Sequence, residues 1–318
     1  MKIGLLEPLG VSRERIEELA GPVRSAGHTF VYYDQKTTDI QELKRRSQGC
    51  DVVMIANNPY PAEVIDASEQ LKMLNVAFTG IDHVGLEACR KRGVIVCNAA
   101  NYSNQAVAEL AIGMTIALLR KMTQADAGVR RGGTSAGLMG GEIAGRTVGI
   151  VGTGRIGMIT AKLFKAFGAE VIAHSRTERQ EAISLGIRYV PLDTLMGCSD
   201  IVSLHMPSNA STKGMIDRRM IRLMKPRALL INCARGPIVD AQALADALNE
   251  GRIAGAGIDV FGCEPPIPDD DPLLHAKNTL LTPHIAFLSE ESMMRRAEIV
   301  FRNLYAYLDG KPENVCEG

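Results

Sequence analysis

The sequence has no net charge, no paired-cysteine motif, no apolar run of membrane-spanning length, no internal repeat and no low-complexity tract. Each absence removes a class of function. Lys and Arg together number 36 and Asp and Glu number 36, so no basic stripe points to nucleic acid or to an anionic membrane. The short runs Lys44-Arg45-Arg46, Arg130-Arg131 and Arg218-Arg219 read as solvated helix faces. The 7 cysteines, at 50, 89, 97, 198, 233, 263 and 316, form no C-x-x-C pair, and several sit in apolar strands where cysteine acts as a small hydrophobe. That usage suits a reducing, cytoplasmic setting and speaks against a disulfide framework or a zinc site, so no metal is expected. The N-terminus, Met1-Lys2-Ile3-Gly4-Leu5-Leu6-Glu7, reads as a short strand and not as a secretory signal. No stretch is long and apolar enough to span a bilayer.

What is present centres on Arg146-Thr147-Val148-Gly149-Ile150-Val151-Gly152-Thr153-Gly154-Arg155-Ile156-Gly157. A β-branched run leads into G-x-G-x-x-G, then into an amphipathic helix to Phe167 and a second strand, Ala169-Glu170-Val171-Ile172-Ala173. This is the βαβ setting a dinucleotide-binding loop requires. Gly152 allows a tight turn, Gly154 lets backbone approach a pyrophosphate, and Gly157 lets the helix pack closely on the strand. The helix N-terminus adds free N–H groups and the positive end of its dipole.

The length of 318 residues suggests about two domains. Strands are expected at Ile3–Leu6, Thr29–Tyr33, Val52–Ala56, Leu71–Ala77 and Val94–Cys97, with helices between them such as Arg13–Ala26 and Val84–Lys91. Such alternation predicts a parallel sheet covered by helices. Gln105–Leu119 reads as a long helix, N-capped by Ser103 or Asn104, apolar on most sides and therefore buried, with a subunit interface as one way to bury it. A glycine-rich loop, 132–141, precedes the central strand. Beyond the glycine motif the rhythm resumes, with strands near Tyr189, at 201–205, 228–233 and 254–259, and near 280–281, and a last helix from Glu290 to Leu308. The fold class is α/β: two Rossmann-like, doubly wound parallel-sheet domains, the cofactor domain (102–284) inserted into a flavodoxin-like substrate domain (1–101 and 285–318). The crevice between the domains is expected to hold the substrate.

Three polar residues follow strands of the second domain. Arg235 follows the apolar strand Ala228–Ala234, Glu264 lies in Asp259-Val260-Phe261-Gly262-Cys263-Glu264-Pro265, and His284 in Thr282-Pro283-His284-Ile285-Ala286. All three are placed to meet at one carboxyl edge. These segments, together with Val148–Gly157, Asp200–Pro207 and Val107-Ala108-Glu109-Leu110-Ala111, resemble the D-isomer-specific 2-hydroxyacid dehydrogenases over nearly the whole chain. The resemblance implies a homodimer built on the cofactor lobe and a catalytic Arg, Glu and His at Arg235, Glu264 and His284. Chemistry agrees with those roles. A 2-oxo acid needs a cation for its carboxylate, polarisation of its carbonyl and a proton for the developing alkoxide. An arginine fork serves the first two and histidine the third, with a carboxylate partner to fix the imidazole tautomer. The nicotinamide carries the redox step.

The resemblance also implies cofactor contacts at Arg155, Ile156, His205, Pro207, Thr212, Cys233, Ala234 and Asp259. An NAD site usually carries an acid at the end of the second strand, where this chain has His174-Ser175-Arg176-Thr177. Ser175 and Thr177 can bind a 2′-phosphate and Arg176 can pair with it, so NADP(H) is favoured; if Arg176 only stacks on adenine, NAD(H) is the alternative. On the substrate side stand Phe78, Thr79 and Gly80, the last two with backbone N–H groups suited to a carboxylate, together with Arg235 and His284. Tyr102 either lines the pocket or packs at the hinge. The expected reaction is hydride transfer to or from a small 2-oxo/2-hydroxy acid such as glyoxylate, hydroxypyruvate or pyruvate. The alternative on the same scaffold is a dinucleotide-sensing, corepressor-like binding protein, which is expected to have extended tails and a peptide groove. This chain begins at its first strand and ends soon after its last helix.

Overall fold

The structure, a computed structural model, describes residues 1–263 and 266–316. The chain divides into two compact units, Met1–Ser103 with Leu288–Gly318, and Asn104–Phe287.

The first unit alternates strand and helix: β1 (Lys2–Leu5), α1 (Arg13–Ser25), β2 (Thr29–Tyr32), α2 (Ile40–Ser47), β3 (Val52–Ile55), α3 (Ala62–Ala67), β4 (Met73–Val76), α4 (Leu86–Lys91) and β5 (Ile95–Asn98). All strand pairs are parallel, in the order β2-β1-β3-β4-β5. This is the flavodoxin-like winding. The strands β3 and β4 are buried at every position, which is why β3 reads as a continuous apolar run and β4 as one interrupted only by Asn75. Helix α1 is capped by the Ser12 side chain on Arg15 N and buries Ile16, Ala20 and Val23, one face of a 3.6-residue repeat.

The second unit opens with α5 (Asn104–Leu119) and α6 (Met122–Val129), then runs β6 (Thr147–Val151), α7 (Arg155–Ala166), β7 (Glu170–His174), α8 (Gln180–Ser184), β8 (Arg188–Tyr189), α9 (Leu192–Cys198), β9 (Ile201–Leu204), α10 (Arg218–Leu223), β10 (Leu229–Asn232), α11 (Ala241–Asn249), β11 (Gly255–Ile258) and β12 (Thr279–Leu281). The parallel sheet has the order β12-β11-β10-β9-β6-β7-β8. The chain starts in the middle at β6, winds outward to β8, then returns to β9 and winds the other way. The reversal lies between β6 and β9, where an open α/β sheet leaves a crevice at its carboxyl ends. The chain then closes in the first unit with α12 (Glu290–Leu308).

Two expectations need correction. The run Lys44-Arg45-Arg46 is not uniformly solvated, because Arg46 is only 7% exposed. Its guanidinium donates to Leu6 O and Gln35 O, at 2.8 and 2.6 Å, pairs with Glu42 and lies 4.7 Å from the centre of the Tyr33 ring. Carbonyls beyond the end of β1 need donors, and a flat five-donor fork supplies them. Helix α5 is not buried all round: Val107, Ala108, Ala111, Ile112, Met114 and Thr115 are buried, while Leu110 and residues 116–119 are half-buried. Helix α6, which the sequence did not suggest, follows a left-handed break at Lys121 (φ 50°) and buries no residue.

The first unit also contains a chain of amides, with Asn75 and Asn303 buried at its centre. Asn75 Nδ2 donates to Val300 O, and Asn303 Nδ2 donates to Asn75 Oδ1 and Asn98 O. Asn314 Nδ2 donates to Asn303 Oδ1, and Asn98 Nδ2 donates to Thr79 O at 2.8 Å. Helix α12, two strands and the terminal segment are thereby tied to the loop after β4. Buried amides of this kind are costly when left half-satisfied. We expect Asn303→Ala to lower the unfolding free energy of this unit by roughly 2–4 kcal/mol in urea titrations. A loss below about 0.5 kcal/mol would show that the network carries no stability.

Candidate active site

The glycine loop has the conformation its sequence requires. Gly152 has φ +97°, a left-handed value that L side chains rarely adopt, and a Cβ there would lie 2.6 Å from His205 O. Its N–H donates to His174 O at 2.7 Å, joining the ends of β6 and β7. A Cβ on Gly157 would collide with Gly152 O, so the first turn of α7 packs against the loop only with glycine there. Gly154 caps α7, and a Cβ there would meet nothing within 4 Å. Backbone is thus open to a ligand at the helix N-terminus.

His205 follows β9 beside this loop. Its Nε2 lies 2.8 Å from Ser203 Oγ, while Nδ1 is sealed from solvent and has no hydrogen-bond partner among the described residues. The residue as a whole is half-buried, but its ring is shielded, and desolvation pushes its pKa down to about 3. The imidazole is therefore neutral at ordinary pH. An orphaned buried nitrogen beside an open helix N-terminus fits a nucleotide phosphate or ribose. Thr212, buried, donates to Pro207 O at 2.6 Å and accepts from Asn209 N, which shapes the turn after β9. Arg155 is exposed and Ile156 half-buried on the first turn of α7. Ser175 is half-buried, and Arg176 and Thr177 are exposed just past β7.

Arg235 and His284 both sit just past the carboxyl ends of strands in this sheet, after β10 and β12, with β11 between them. At β10, the Asn232 side chain clamps the turn. Its Oδ1 accepts from Ala234 N and its Nδ2 donates to Arg235 O, both at 3.0 Å. Arg235 is half-buried, and its Nη1 donates to Ala234 O at 2.8 Å. A Cβ on Gly236 would overlap Phe261 O, so the loops after β10 and β11 touch backbone to backbone. Cys233 Sγ lies 3.8 Å from Met114 Sδ, and burial pushes its thiol up, away from thiolate chemistry.

Asp259 ends β11 and is fully buried. Its Oδ1 accepts from Thr282 Oγ1 at 2.6 Å and from Ile285 N at 2.8 Å, and its Oδ2 accepts from Ala286 N at 2.9 Å. Its carbonyl accepts from His284 N at 2.8 Å. Burial raises its carboxyl above the usual aspartate value, against the pull of these donors and of His284. The residue expected among the cofactor contacts thus grips the 282–286 segment with both oxygens. His284 is held at φ +57°, and its ring meets Phe287 edge-on at 5.4 Å. Glu264 lies outside the described residues.

In the first unit, Phe78 and Tyr102 are buried, 7% and 1% exposed, with ring centres 6.0 Å apart, and Tyr102 O accepts from Arg295 Nε. Thr79 is exposed and Gly80 half-exposed, leaving backbone accessible there. Two groups escaped sequence reasoning. Asn232 resembles any strand-end polar residue. Tyr189 is a lone aromatic on a two-residue strand, and its hydroxyl donates to Thr153 Oγ1 at 2.9 Å.

A buried neutral histidine gives acid sensitivity. Its folded pKa lies below the unfolded value of about 6.5, so stability is full above that value and is lost as pH falls towards about 3. Between pH 7 and pH 5 the wild type is expected to lose about 2 kcal/mol more than His205→Gln. Parallel urea titrations at the two pH values measure this, and equal losses in both proteins would refute the buried, neutral state.

The family model described as "D-isomer specific 2-hydroxyacid dehydrogenase, NAD binding domain" matches residues 112–286, within the second unit. A glyoxylate reductase of Korarchaeum cryptofilum is 37% identical over 96% of this chain and 94% of its own length. Among solved structures, an acyclic imino acid reductase in complex with NADPH and D-Arg matches with TM-score 0.88 and 31% identity, over 100% of both chains. The D-lactate dehydrogenase of Aquifex aeolicus, complexed with NAD and lactic acid, matches with TM-score 0.86 and 28% identity, over 99% of both chains. With its second unit matched by the family model and nearly its whole length by a 37% identical relative, the chain belongs to the D-isomer specific 2-hydroxyacid dehydrogenase family and is a nicotinamide-dependent oxidoreductase.

Proposed function

We propose that the protein reduces a small 2-oxo acid (glyoxylate, hydroxypyruvate or pyruvate) to the D-2-hydroxy acid, with NADP(H) as the preferred cofactor. The observation that carries this reading is the arrangement along one sheet edge. Arg235, the Asp259 grip and His284 follow β10, β11 and β12, and the glycine loop follows β6 of the same sheet. The relative from Korarchaeum cryptofilum, a glyoxylate reductase, supports the choice of acid. The corepressor-like alternative is not favoured by these relatives.

Each residue has a defined task. The Arg235 guanidinium holds the carboxylate and the carbonyl oxygen, a planar fork against two acceptors. His284 gives a proton to the carbonyl oxygen as charge develops there, and takes it back in the reverse direction. Glu264 pairs with the imidazole and fixes its tautomer. Thr79 and Gly80 N–H groups contribute to carboxylate binding, and Phe78 and Tyr102, whose rings pack on each other, belong to the same substrate side. The cofactor, held by Gly152–Gly157, Arg155, Ile156, Ser175–Thr177, His205, Pro207, Thr212, Cys233, Ala234 and Asp259, supplies hydride equivalents. NADP(H) is favoured because no acid stands at Ser175–Thr177, where one would repel a 2′-phosphate. A homodimer is favoured by the apolar side chains that the second unit leaves in solvent, Met122 at 53%, Val129 at 68% and Met139 at 90% exposure. The free cysteines suit a cytoplasmic setting. Among the described residues no helix is long and apolar enough to cross a membrane.

A spectrophotometric screen of 2-oxo acids with both cofactors tests the reading. Turnover of at least one acid is expected, with kcat/KM about tenfold or more higher for NADPH than for NADH. A clear NADH preference overturns the cofactor assignment alone. Arg235→Ala and His284→Ala are each expected to lower kcat/KM by about 10³-fold while retaining cofactor binding by fluorescence titration. Near-normal turnover in both variants removes them from the mechanism.

A further inference from the structure

The hydroxyl of Tyr189 touches two segments at once. It donates to Thr153 Oγ1 at 2.9 Å and accepts from Arg179 N at 3.0 Å. Thr153 sits in the middle of the glycine loop and is 1% exposed. Arg179 is the residue before α8 and closes the segment 175–179, which begins where β7 ends. The opposite end of that segment is also fixed. His174 O accepts from Gly152 N at 2.7 Å, and His174 Nδ1 lies 3.1 Å from Val190 O. The segment carrying Ser175, Arg176 and Thr177 is therefore tethered at both ends to the glycine loop and to β8. One phenol makes the outer tether, with its single proton on one side and a lone pair on the other. Arg176 and Thr177 are exposed and the segment is five residues long; at its outer end the Arg179 carbonyl accepts from Ala182 N and Ile183 N of α8, and the phenol is the bond that ties that end to the glycine loop.

We propose that Tyr189 is a positioning residue for the adenylate end of the cofactor. It fixes the distance between the loop that meets the pyrophosphate and the segment that meets the ribose 2′-substituent. This rests on the assignment of Gly152–Gly157 and Ser175–Thr177 to the cofactor made above. A segment already held in its bound geometry loses less freedom on binding, and removing the tether weakens binding without removing any contact to the ligand. Water replaces the phenol at exposed Arg179 N, so the change acts on loop order more than on the fold.

The test is calorimetric titration of the apo protein with adenosine 2′,5′-bisphosphate, with AMP and with inorganic pyrophosphate. Tyr189→Phe keeps the ring and removes both hydrogen bonds. Its affinity for the bisphosphate is expected to fall about tenfold, with pyrophosphate affinity within twofold of wild type, a split that a general loss of structure would not give. If the wild type binds AMP as tightly as the bisphosphate, the NADP(H) reading fails, and a tenfold fall in AMP affinity still supports the tether. If Tyr189→Phe binds both adenylates like the wild type, the tether is overturned and the cofactor reading is decided by the wild-type values alone. Wild type that binds neither adenylate removes both. Should Tyr189→Phe not fold, Thr153→Val removes the acceptor from the other side and carries the same expectation and the same overturning result.

Discussion

The buried carboxylate of Asp259 is the constraint on which the carboxyl edge of the second sheet depends. Removing a carboxylate from water is expensive, and here burial does raise its pKa. The expense is offset by three donors, two of them backbone amides that have no other partner within the 282–286 segment. The same grip leaves His284 in a left-handed conformation that a non-glycine residue rarely adopts unaided. Asp259 therefore spends its bonding capacity on the shape of a loop. Asn232 does the same one strand away, using both ends of its amide to fold the turn that presents Arg235. Gly236 then lets that turn sit against Phe261 O. Arg235 and His284 are both presented by loops that strand-end polar residues have already shaped, which is how a loop achieves the precision of a rigid element.

The first unit solves the same problem with neutral groups. A line of asparagines runs from Asn75 through Asn303 to Asn98 and fixes Thr79 O beyond β4. Amides carry donor and acceptor together, so a chain of them closes without a net charge in the core. Glu7 departs from that pattern. It is 2% exposed, accepts from Ala56 N and Asn58 N, and burial pushes its carboxyl up. It shapes the loop after β3 as Asp259 shapes the loop after β12.

Much of this fold was legible because it rests on local rules. Buried parallel strands are apolar at most positions, helices between them repeat every 3.6 residues, and Gly152 and Gly157 each have a steric reason to be glycine. The positions of Arg235 and His284 at one sheet edge were legible for the same reason, since each follows an apolar strand. What was not legible depends on partners far away in the chain. Arg46 looks like any basic residue of a helix until the carbonyls of Leu6 and Gln35 are found beside it. The hold of Asp259 on the 282–286 segment was not legible, because nothing in the sequence says that residues 285 and 286 turn their amides towards it. Asn303 lies in the final helix and the two acceptors of its amide nitrogen lie more than two hundred residues earlier, beyond the reach of any spacing rule.

Cofactor choice shows how these two kinds of information combine. The lack of an acid at Ser175–Thr177 is a fact of composition, and by itself it permits a 2′-phosphate without specifying one. A phosphate is recognised when its donors are held in place before it arrives, because ordering a mobile arginine and two hydroxyls consumes the energy their contacts release. The segment that carries them is anchored at His174 by the glycine loop and at Arg179 by Tyr189. Both anchors converge on residues 152 and 153, so the glycine loop and the segment 175–179 are built on one short stretch of backbone. A rearrangement of the glycine loop cannot then occur without moving that segment as well. The steric demands that fix Gly152 against His205 O consequently extend to the segment 175–179.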